Sequence, residues 1–200
     1  MNIKTIVITG GPCGGKSTAM AHIKEHFTAQ GYTVLVIPES ATELIGGGVA
    51  PWTCATPYDY QVLQFRLQLE KEAIFREAAQ QMQAPALLIL CDRGIPDGKA
   101  YMTDAQYDRM AAEAGFTPQQ LLARYDAVFH LVTAADGALP FYTLENNSTR
   151  TETPQQAIAL DQRTQAVWRG HPHHCIIGNE LDFKGKLALL TDAMHAFLDV

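Results

Sequence analysis

The sequence predicts an α/β protein built on a parallel sheet of about five strands. Short β-branched apolar runs alternate with longer segments of helical periodicity along the chain. The apolar runs are nearly continuous rather than alternating, which is typical of parallel strands covered by helices on both faces. Helices on both faces of a sheet make three layers, and 200 residues fit a single domain spanning residues 1–200.

Five runs are predicted to be strands, and the segments between and after them to be helices. The strands are residues 3–9 (IKTIVIT), 33–37 (TVLVI), 86–91 (ALLILC), 127–132 (AVFHLV) and 174–178 (HCIIG). Helices are predicted over 16–29, about 58–83, 154–168 and 184–199, with two short helices between the third and fourth strands. Three helix starts, at 56–59, 117–120 and 153–156, share Thr at the N-cap, Pro at N1 and Asp or Gln at N3.

Two segments show no clear periodicity. Residues 43–52 (ELIGGGVAPW) contain three consecutive glycines, and residues 135–153 are long and mostly polar. Loops of this length inside a compact domain usually bind ligands or act as lids, with disorder as the alternative. We therefore expect a lid over about residues 135–165.

Charge and hydropathy exclude several classes of protein. The formal net charge is −6 and no basic run occurs, so a nucleic-acid partner is not expected. No apolar run is long enough to span a membrane, and the first residues do not resemble a signal peptide, which predicts a cytoplasmic protein. The four cysteines form no CxxC pair, so free thiols are expected.

The segment GGPCGGKS (10–17) fits the phosphate-binding pattern G-x-x-x-x-G-K-[ST] between the first strand and the first helix. In such a loop the glycines let backbone amides surround a phosphate, and the helix dipole favours the anion. Lys16 is expected to reach the β- and γ-phosphates and Ser17 to bind Mg²⁺. A structural glycine-rich turn is the alternative. The predicted nucleotide contacts are Gly10, Gly11, Pro12, Cys13, Gly14, Gly15, Lys16, Ser17 and Thr18.

Two carboxylates follow strands that neighbour this loop. Asp92 ends the third strand and Glu39 follows the second, and the carboxyl ends of parallel strands open onto the ligand crevice. One carboxylate would bind the metal ion. Asp92 is predicted to be this ligand, together with Ser17. The other would orient or deprotonate an acceptor hydroxyl. Which of the two is the base stays open, and Glu39 alone is equally consistent with a solvated loop residue.

Four segments together resemble a known family: ITGGPCGGKST (8–18), VIPESATELI (36–45), CDRGIPDGKAY (91–101) and IIGN (176–179). The chain resembles, over nearly its whole length, the small P-loop proteins described as AAA-domain ATP/GTP-binding proteins, which are related to nucleoside and nicotinamide-riboside kinases. The resemblance implies a P-loop NTPase fold with strand order 2-3-1-4-5. It also implies that Asp92 and Arg93 serve the metal and the substrate phosphoryl group, and that lid arginines, Arg150 or Arg163, compensate charge.

The chain departs from two better-known kinds of P-loop protein. A hexameric AAA+ motor would have Asp-Glu after the third strand and a separate helical domain, whereas this chain has Asp92-Arg93 and no length for that domain. A GTPase would have N-K-x-D for guanine, where this chain reads NELD (179–182). The resemblance also implies that the loop after the last strand contacts the base, so Asn179 is the predicted base contact, with a turn or capping role as the alternative.

The segment HPHHC (171–175) places three histidines and a cysteine close together. Tetrahedral zinc needs four ligands within reach, and a proline followed by a strand directs these side chains to alternate faces. A polar turn is the favoured interpretation, and Mg²⁺ carried by the nucleotide is the only metal predicted.

These features predict a protein that binds Mg²⁺ and ATP, with GTP as the alternative nucleotide. The favoured function is a phosphotransferase acting on a small hydroxyl-bearing metabolite, such as a nucleoside-like compound. The alternative is a regulatory module that hydrolyses its nucleotide slowly and responds to a protein or lipid partner.

Overall fold

All five predicted strands form one parallel sheet. The computed structural model describes residues 2–142 and 153–199. The strands pair in the order β2-β3-β1-β4-β5, which confirms the predicted order. They are β1 (Asn2–Thr9), β2 (Thr33–Ile37), β3 (Ala86–Asp92), β4 (Ala127–Leu131) and β5 (His174–Ile177).

Helices connect and cover these strands, and the three Thr-Pro starts are confirmed. Thr56, Thr117 and Thr153 each accept a hydrogen bond from the backbone N–H three residues later. A 3₁₀ helix, Ile95–Tyr101, follows β3, and a short one, Leu139–Phe141, follows β4. The α-helices are α1 (Lys16–Ala29), α2 (Ser40–Gly46), α3 (Pro57–Gln81), α4 (Asp104–Glu113), α5 (Pro118–Leu122), α6 (Pro154–Val167) and α7 (Phe183–Leu198).

The two faces of the sheet are buried against different helices, which gives the predicted three layers. Successive residues of β1 point to opposite faces. Ile6 and Ile8 join the cluster that includes Phe27 of α1 and Met194 of α7. Val7 joins the cluster on the other face, with Ala79 of α3 and Trp168 at the end of α6 as members. The central strands are therefore apolar on both sides, as their continuous apolar runs predict.

The segment after β2 differs from the sequence-based prediction. Residues 43–46, expected to be a loop, form the end of α2. Ser40 donates a hydrogen bond of 2.6 Å to Gln68 of α3, and Lys71 of α3 forms a 2.8 Å ion pair with Glu43. This short helix is held by contacts to α3, which periodicity within the segment does not reveal.

The strand order places a ligand crevice at the centre of the sheet. β1 lies between β3 and β4, so the chain leaves β1 towards one edge and later returns to the other. Such a reversal is where open α/β sheets bind ligands, outside the carboxyl ends of the strands. In the part of the chain that the structure describes, no helix is long and apolar enough to cross a membrane.

Candidate nucleotide-binding site

At two positions of the loop between β1 and α1, both the backbone conformation and the lack of space require glycine. Gly10 has φ +140°, and a Cβ there would lie 2.0 Å from the carbonyl oxygen of Leu131. Gly15 has φ +83°, and a Cβ there would lie 2.3 Å from the ring of Phe183. The loop therefore packs closely against the end of β4 on one side and against the first residue of α7 on the other.

The segment after β4 holds the middle of the loop. The Thr133 hydroxyl donates a hydrogen bond to the Pro12 carbonyl, and the Ala134 N–H donates one of 3.2 Å to the Cys13 carbonyl. Cys13 has φ +55°, a conformation that few residues other than glycine adopt. These bonds keep the strained turn in place and set the shape of the loop.

The residues predicted to hold phosphate and metal lie together at the first turn of α1. The Lys16 ammonium is buried and donates hydrogen bonds of 3.2 and 3.1 Å to the carbonyls of Gly10 and Gly11. Ser17 and Thr18 are exposed, and they line the same cavity as Lys16. The amides at the start of a helix have no partners within the helix, so this turn can bind an anion.

Asp92 lies across the cavity from this turn, at the end of β3. Its Oδ1 atom is buried and has no hydrogen-bond partner among the described residues. Burial raises the pKa of Asp92, and the nearby Lys16 only partly opposes the shift. A buried oxygen without a partner is costly, so this carboxylate is suited to bind a ligand that the chain itself does not supply.

Glu39 and Arg93 form an ion pair beside Asp92. The Arg93 Nε atom donates a 2.6 Å hydrogen bond to Glu39 Oε1, and Thr42 donates one of 2.7 Å to Oε2. Burial opposes ionisation of Glu39, but Arg93 and Lys16 outweigh it and lower the pKa of Glu39 to about 2. Arg93 keeps a buried Nη1 atom without a hydrogen-bond partner among the described residues. Glu39 therefore stays ionised, and Arg93 retains a donor for a ligand.

One cavity of about 1090 Å³ joins these groups. It runs from the phosphate-binding loop past Glu39, Asp92 and Arg93 to the first turns of α3. Tyr60 of α3 lines it with a buried hydroxyl that has no partner among the described residues, and burial raises the pKa of Tyr60 to about 12. The rim includes apolar side chains that are largely exposed: Trp52, Phe141, Leu181 and Phe183.

The residues present fit a magnesium ion carried by a nucleotide. Mg²⁺ prefers carboxylate and hydroxyl oxygens and usually binds through one or two protein ligands together with phosphates. The unpartnered Oδ1 of Asp92 and the exposed hydroxyl of Ser17 line one cavity and supply such oxygens. Both were predicted as metal ligands, and both assignments stay predictions.

Asn179 lies in the cavity wall, but its side chain is already engaged. Its Nδ2 atom donates hydrogen bonds to the carbonyls of Thr133 and Asp136, and its Oδ1 accepts one of 2.8 Å from Lys186. These bonds hold the loop after β4 in place. They fit the alternative given in the sequence analysis, in which Asn179 stabilises a turn. Contact of Asn179 with a base stays a prediction.

The two predicted lid arginines are placed differently. Arg150 lies outside the described residues. Arg163 is exposed on α6 and does not line the cavity in the described part of the chain. Their role in a lid stays a prediction.

Asp161 of α6 is a contact of the loop that was not predicted. Its Oδ1 atom accepts hydrogen bonds from the backbone N–H groups of Gly11 and Thr133 and lies 3.0 Å from His130 Nε2. A Cβ on Gly11 would lie 2.6 Å from this oxygen. Within the helical pattern, Asp161 has no local signal that separates it from a surface residue, because its partners are far away in the sequence.

Lys186 is expected to make stability depend on pH. Its ammonium donates hydrogen bonds of 2.6 Å to the Val132 carbonyl and 2.8 Å to Asn179, and burial lowers its pKa to about 8. The unfolded chain keeps this amine charged up to about pH 10.5, so between pH 8 and 10.5 the folded state binds fewer protons. The contribution of Lys186 to the free energy of unfolding is therefore lowest below pH 8 and rises between pH 8 and 10.5.

The measurement compares denaturant unfolding of the wild type and Lys186→Met across this range. The wild type should gain as much as about 3 kcal/mol relative to the variant as pH rises. A difference between the two proteins that does not change with pH would contradict the assignment.

The comparisons with known proteins agree with this geometry. A family model described as an AAA domain, AAA_28, matches residues 5–185, which is nearly the whole chain. A search of curated proteins found no match. The match includes most of β1, the phosphate-binding loop, the other four strands and the first residues of α7. The chain therefore belongs to the AAA_28 family of AAA domains and is a nucleotide-binding P-loop protein.

Proposed function

We propose that the protein is a Mg²⁺- and ATP-dependent phosphotransferase that transfers the γ-phosphoryl group to a hydroxyl of a small metabolite, such as a nucleoside-like compound. GTP is the alternative donor. The observation that carries this proposal is the size and course of the cavity. About 1090 Å³ is at the upper end of the roughly 300–1,000 Å³ of small-ligand sites, and the cavity continues from the phosphate-binding loop to the first turns of α3, which offers an acceptor a place beside the nucleotide.

The chemistry of the far end of the cavity supports an acceptor there. Tyr60 Oη and Arg93 Nη1 are buried and lack partners among the described residues, so a hydroxyl-bearing ligand would satisfy them. Tyr101 also lines the cavity close to Tyr60 and Arg93 and offers aromatic surface. Aromatic faces favour a planar ring, which supports a nucleoside-like acceptor.

In this proposal the chain mainly positions the two reactants. Lys16 and the loop amides bind the phosphates. Ser17 and Asp92 would hold Mg²⁺, which supplies charge neutralisation on the phosphate oxygens. Glu39, which stays ionised during the reaction, accepts a hydrogen bond from the acceptor hydroxyl. This bond orients the hydroxyl oxygen towards the γ-phosphorus. A new O–P bond forms as the bond to the β–γ bridging oxygen breaks and the diphosphate leaves. The hydroxyl proton passes to an oxygen of the transferred phosphoryl group and then to water.

A lid over about residues 135–165 completes the proposed mechanism. Its closure would exclude water, which would otherwise accept the phosphoryl group, and would bring Arg150 or Arg163 towards the transferring charge. Within this segment the structure describes the 3₁₀ helix Leu139–Phe141 and, from Pro154 onwards, α6.

Glu39→Gln tests the orienting role. Because the pKa of Glu39 is held at about 2, the role depends on its negative charge, which Gln lacks. We expect kcat to fall by about ten- to a hundredfold while the Kd for ATP changes little. Thr42→Val is the matched control, since it removes only the neutral partner of Glu39. An unchanged kcat in Glu39→Gln would contradict the role.

A regulatory module is the second candidate, and the exposed rim favours it. Trp52 is 69% exposed, Phe141 75% and Leu181 54%, which is much apolar surface at the mouth of a site. Such surface commonly marks a contact with a partner. In this case nucleotide hydrolysis would be slow and would respond to a protein or lipid.

A panel of hydroxyl-bearing metabolites with γ-labelled ATP and GTP separates the two functions. A phosphotransferase should show turnover that one class of compound strongly stimulates, with the label recovered on that compound. Low turnover with every small molecule, together with stimulation by protein fractions or vesicles, would overturn the phosphotransferase proposal.

A further inference from the structure

A cluster of nitrogen atoms lies where α1 and α7 end, at the opposite end of both helices from the phosphate-binding loop. His26 is in the last turn of α1, Gln30 is its C-cap and His195 is in the last turn of α7. The Nε2 atoms of His26 and His195 are 3.0 Å apart. The Gln30 side-chain nitrogen lies 3.0 Å from the first and 3.2 Å from the second. The three atoms thus form a nearly equilateral triangle.

Hydrogen bonds alone cannot satisfy this triangle. If the Gln30 amide donates to both rings, both Nε2 atoms must be acceptors and no proton lies between them. If His26 or His195 instead donates to the other, that ring cannot also accept from Gln30. The Gln30 amide can also rotate to present its carbonyl oxygen to the two rings. The number of contacts that hydrogen bonds can satisfy is then the same. Protons satisfy at most two of the three contacts.

A cation would satisfy all three contacts at once. First-row transition metals bind imidazole nitrogen at about 2.0–2.1 Å, and tetrahedral ligands of that length are about 3.3 Å apart. An ion at that distance from atoms spaced 3.0–3.2 Å would lie about 1 Å out of their plane. The side chains therefore need to move by only a few tenths of an ångström.

We propose that His26, His195 and the carbonyl oxygen of Gln30 form a binding site for a transition-metal ion such as Zn²⁺ or Ni²⁺. Imidazole favours these ions over Mg²⁺, which prefers oxygen ligands, so this site and the nucleotide site take different metals. Among the described residues, no group of three His, Cys, Asp or Glu side chains is placed to hold a metal. Two imidazoles and one amide leave a position for water, and the ion should exchange freely.

The position of the site gives the ion a structural effect. α1 begins with Lys16, and the first residue of α7, Phe183, lies against Gly15 of the loop. An ion held by His26 and His195 ties together the last turns of two helices whose first turns both meet at the loop. Binding to the folded chain alone stabilises it by mass action, so the Tm should rise with Zn²⁺ concentration.

Titration calorimetry with Zn²⁺ or Ni²⁺ alone tests the site, on the full chain without nucleotide and without a histidine tag. We expect one ion per chain with an affinity in the micromolar range. His26→Gln and His195→Gln should each weaken binding by about tenfold or more. His173→Gln is the control, because this histidine is exposed and packs on Phe197 outside the triangle.

Histidine ¹⁵N spectra of the wild type give a readout that needs no variant. Zn²⁺ should shift the Nε2 signals of two histidines and leave those of the other histidines unchanged. Absence of binding would overturn the proposal, and so would an affinity that the double variant His26→Gln/His195→Gln retains. Neither result bears on the phosphotransferase proposal, whose site lies at the other end of the helices.

Discussion

Lys16→Ala is expected to abolish tight binding of ATP while the domain stays folded. Lys16 is the cation at the first turn of α1, and its ammonium donates hydrogen bonds to the loop carbonyls of Gly10 and Gly11. A unit charge about 4 Å from a phosphate oxygen is worth about 4 kcal/mol at an effective dielectric constant of about 20. Its loss therefore corresponds to about a thousandfold rise in Kd.

Fluorescent-nucleotide titration with Mg²⁺ measures the Kd, and thermal unfolding without nucleotide tests the fold. The matched control is Lys24→Ala, an exposed lysine on the same helix, which should bind ATP as the wild type does. If Lys16→Ala bound Mg-ATP with wild-type affinity, the phosphates would have to lie elsewhere.

Asp97→Ala is expected to have the largest effect on stability. Asp97 is 2% exposed, and its carboxylate accepts hydrogen bonds from Thr9 Oγ1, Trp168 Nε1 and the Gly94 N–H, at 2.8, 2.8 and 2.9 Å. Alanine would leave three buried donors without an acceptor, at a cost of about 1–3 kcal/mol each. The free energy of unfolding should fall by about 3 kcal/mol or more, a large part of the total for a domain.

Asp97→Asn is the matched variant for this prediction. It keeps one carbonyl oxygen for Thr9 and Trp168 but turns an amide group towards the Gly94 N–H, so its loss of stability should be intermediate. Chemical denaturation of the three proteins at one pH measures the order. Equal stability of Asp97→Ala and the wild type would show that these donors find other acceptors.

Local signals explain why much of the fold could be predicted. Each Thr-Pro helix start sets its own boundary, because Thr153, for example, bonds to Gln156 within one turn. The strands are buried on both faces, so their apolar runs are continuous and easy to find. The phosphate-binding loop could also be predicted from local sequence. Gly10 and Gly15, which adopt positive φ, belong to a short sequence motif between a strand and a helix.

Contacts between distant segments explain what was missed. α2 depends on Ser40 and Glu43 meeting α3, and neither contact has a signature within residues 40–46. The pairing of Glu39 with Arg93 joins residues 54 positions apart and makes Glu39 a permanently ionised partner. The sequence left open which of the two carboxylates is the base, and the structure distinguishes their surroundings: Glu39 is paired, whereas Asp92 Oδ1 has no hydrogen-bond partner among the described residues.

The hydrogen bonds that shape the phosphate-binding loop have a consequence for synthesis of the chain. They span 88 residues from Thr9 to Asp97, 121 from Pro12 to Thr133 and 150 from Gly11 to Asp161. The loop is translated 150 residues before Asp161, so it acquires this last partner only after α6 has been synthesised. A nascent polypeptide therefore gains the ability to retain a nucleotide late, when most of the sheet that supports it has already been made.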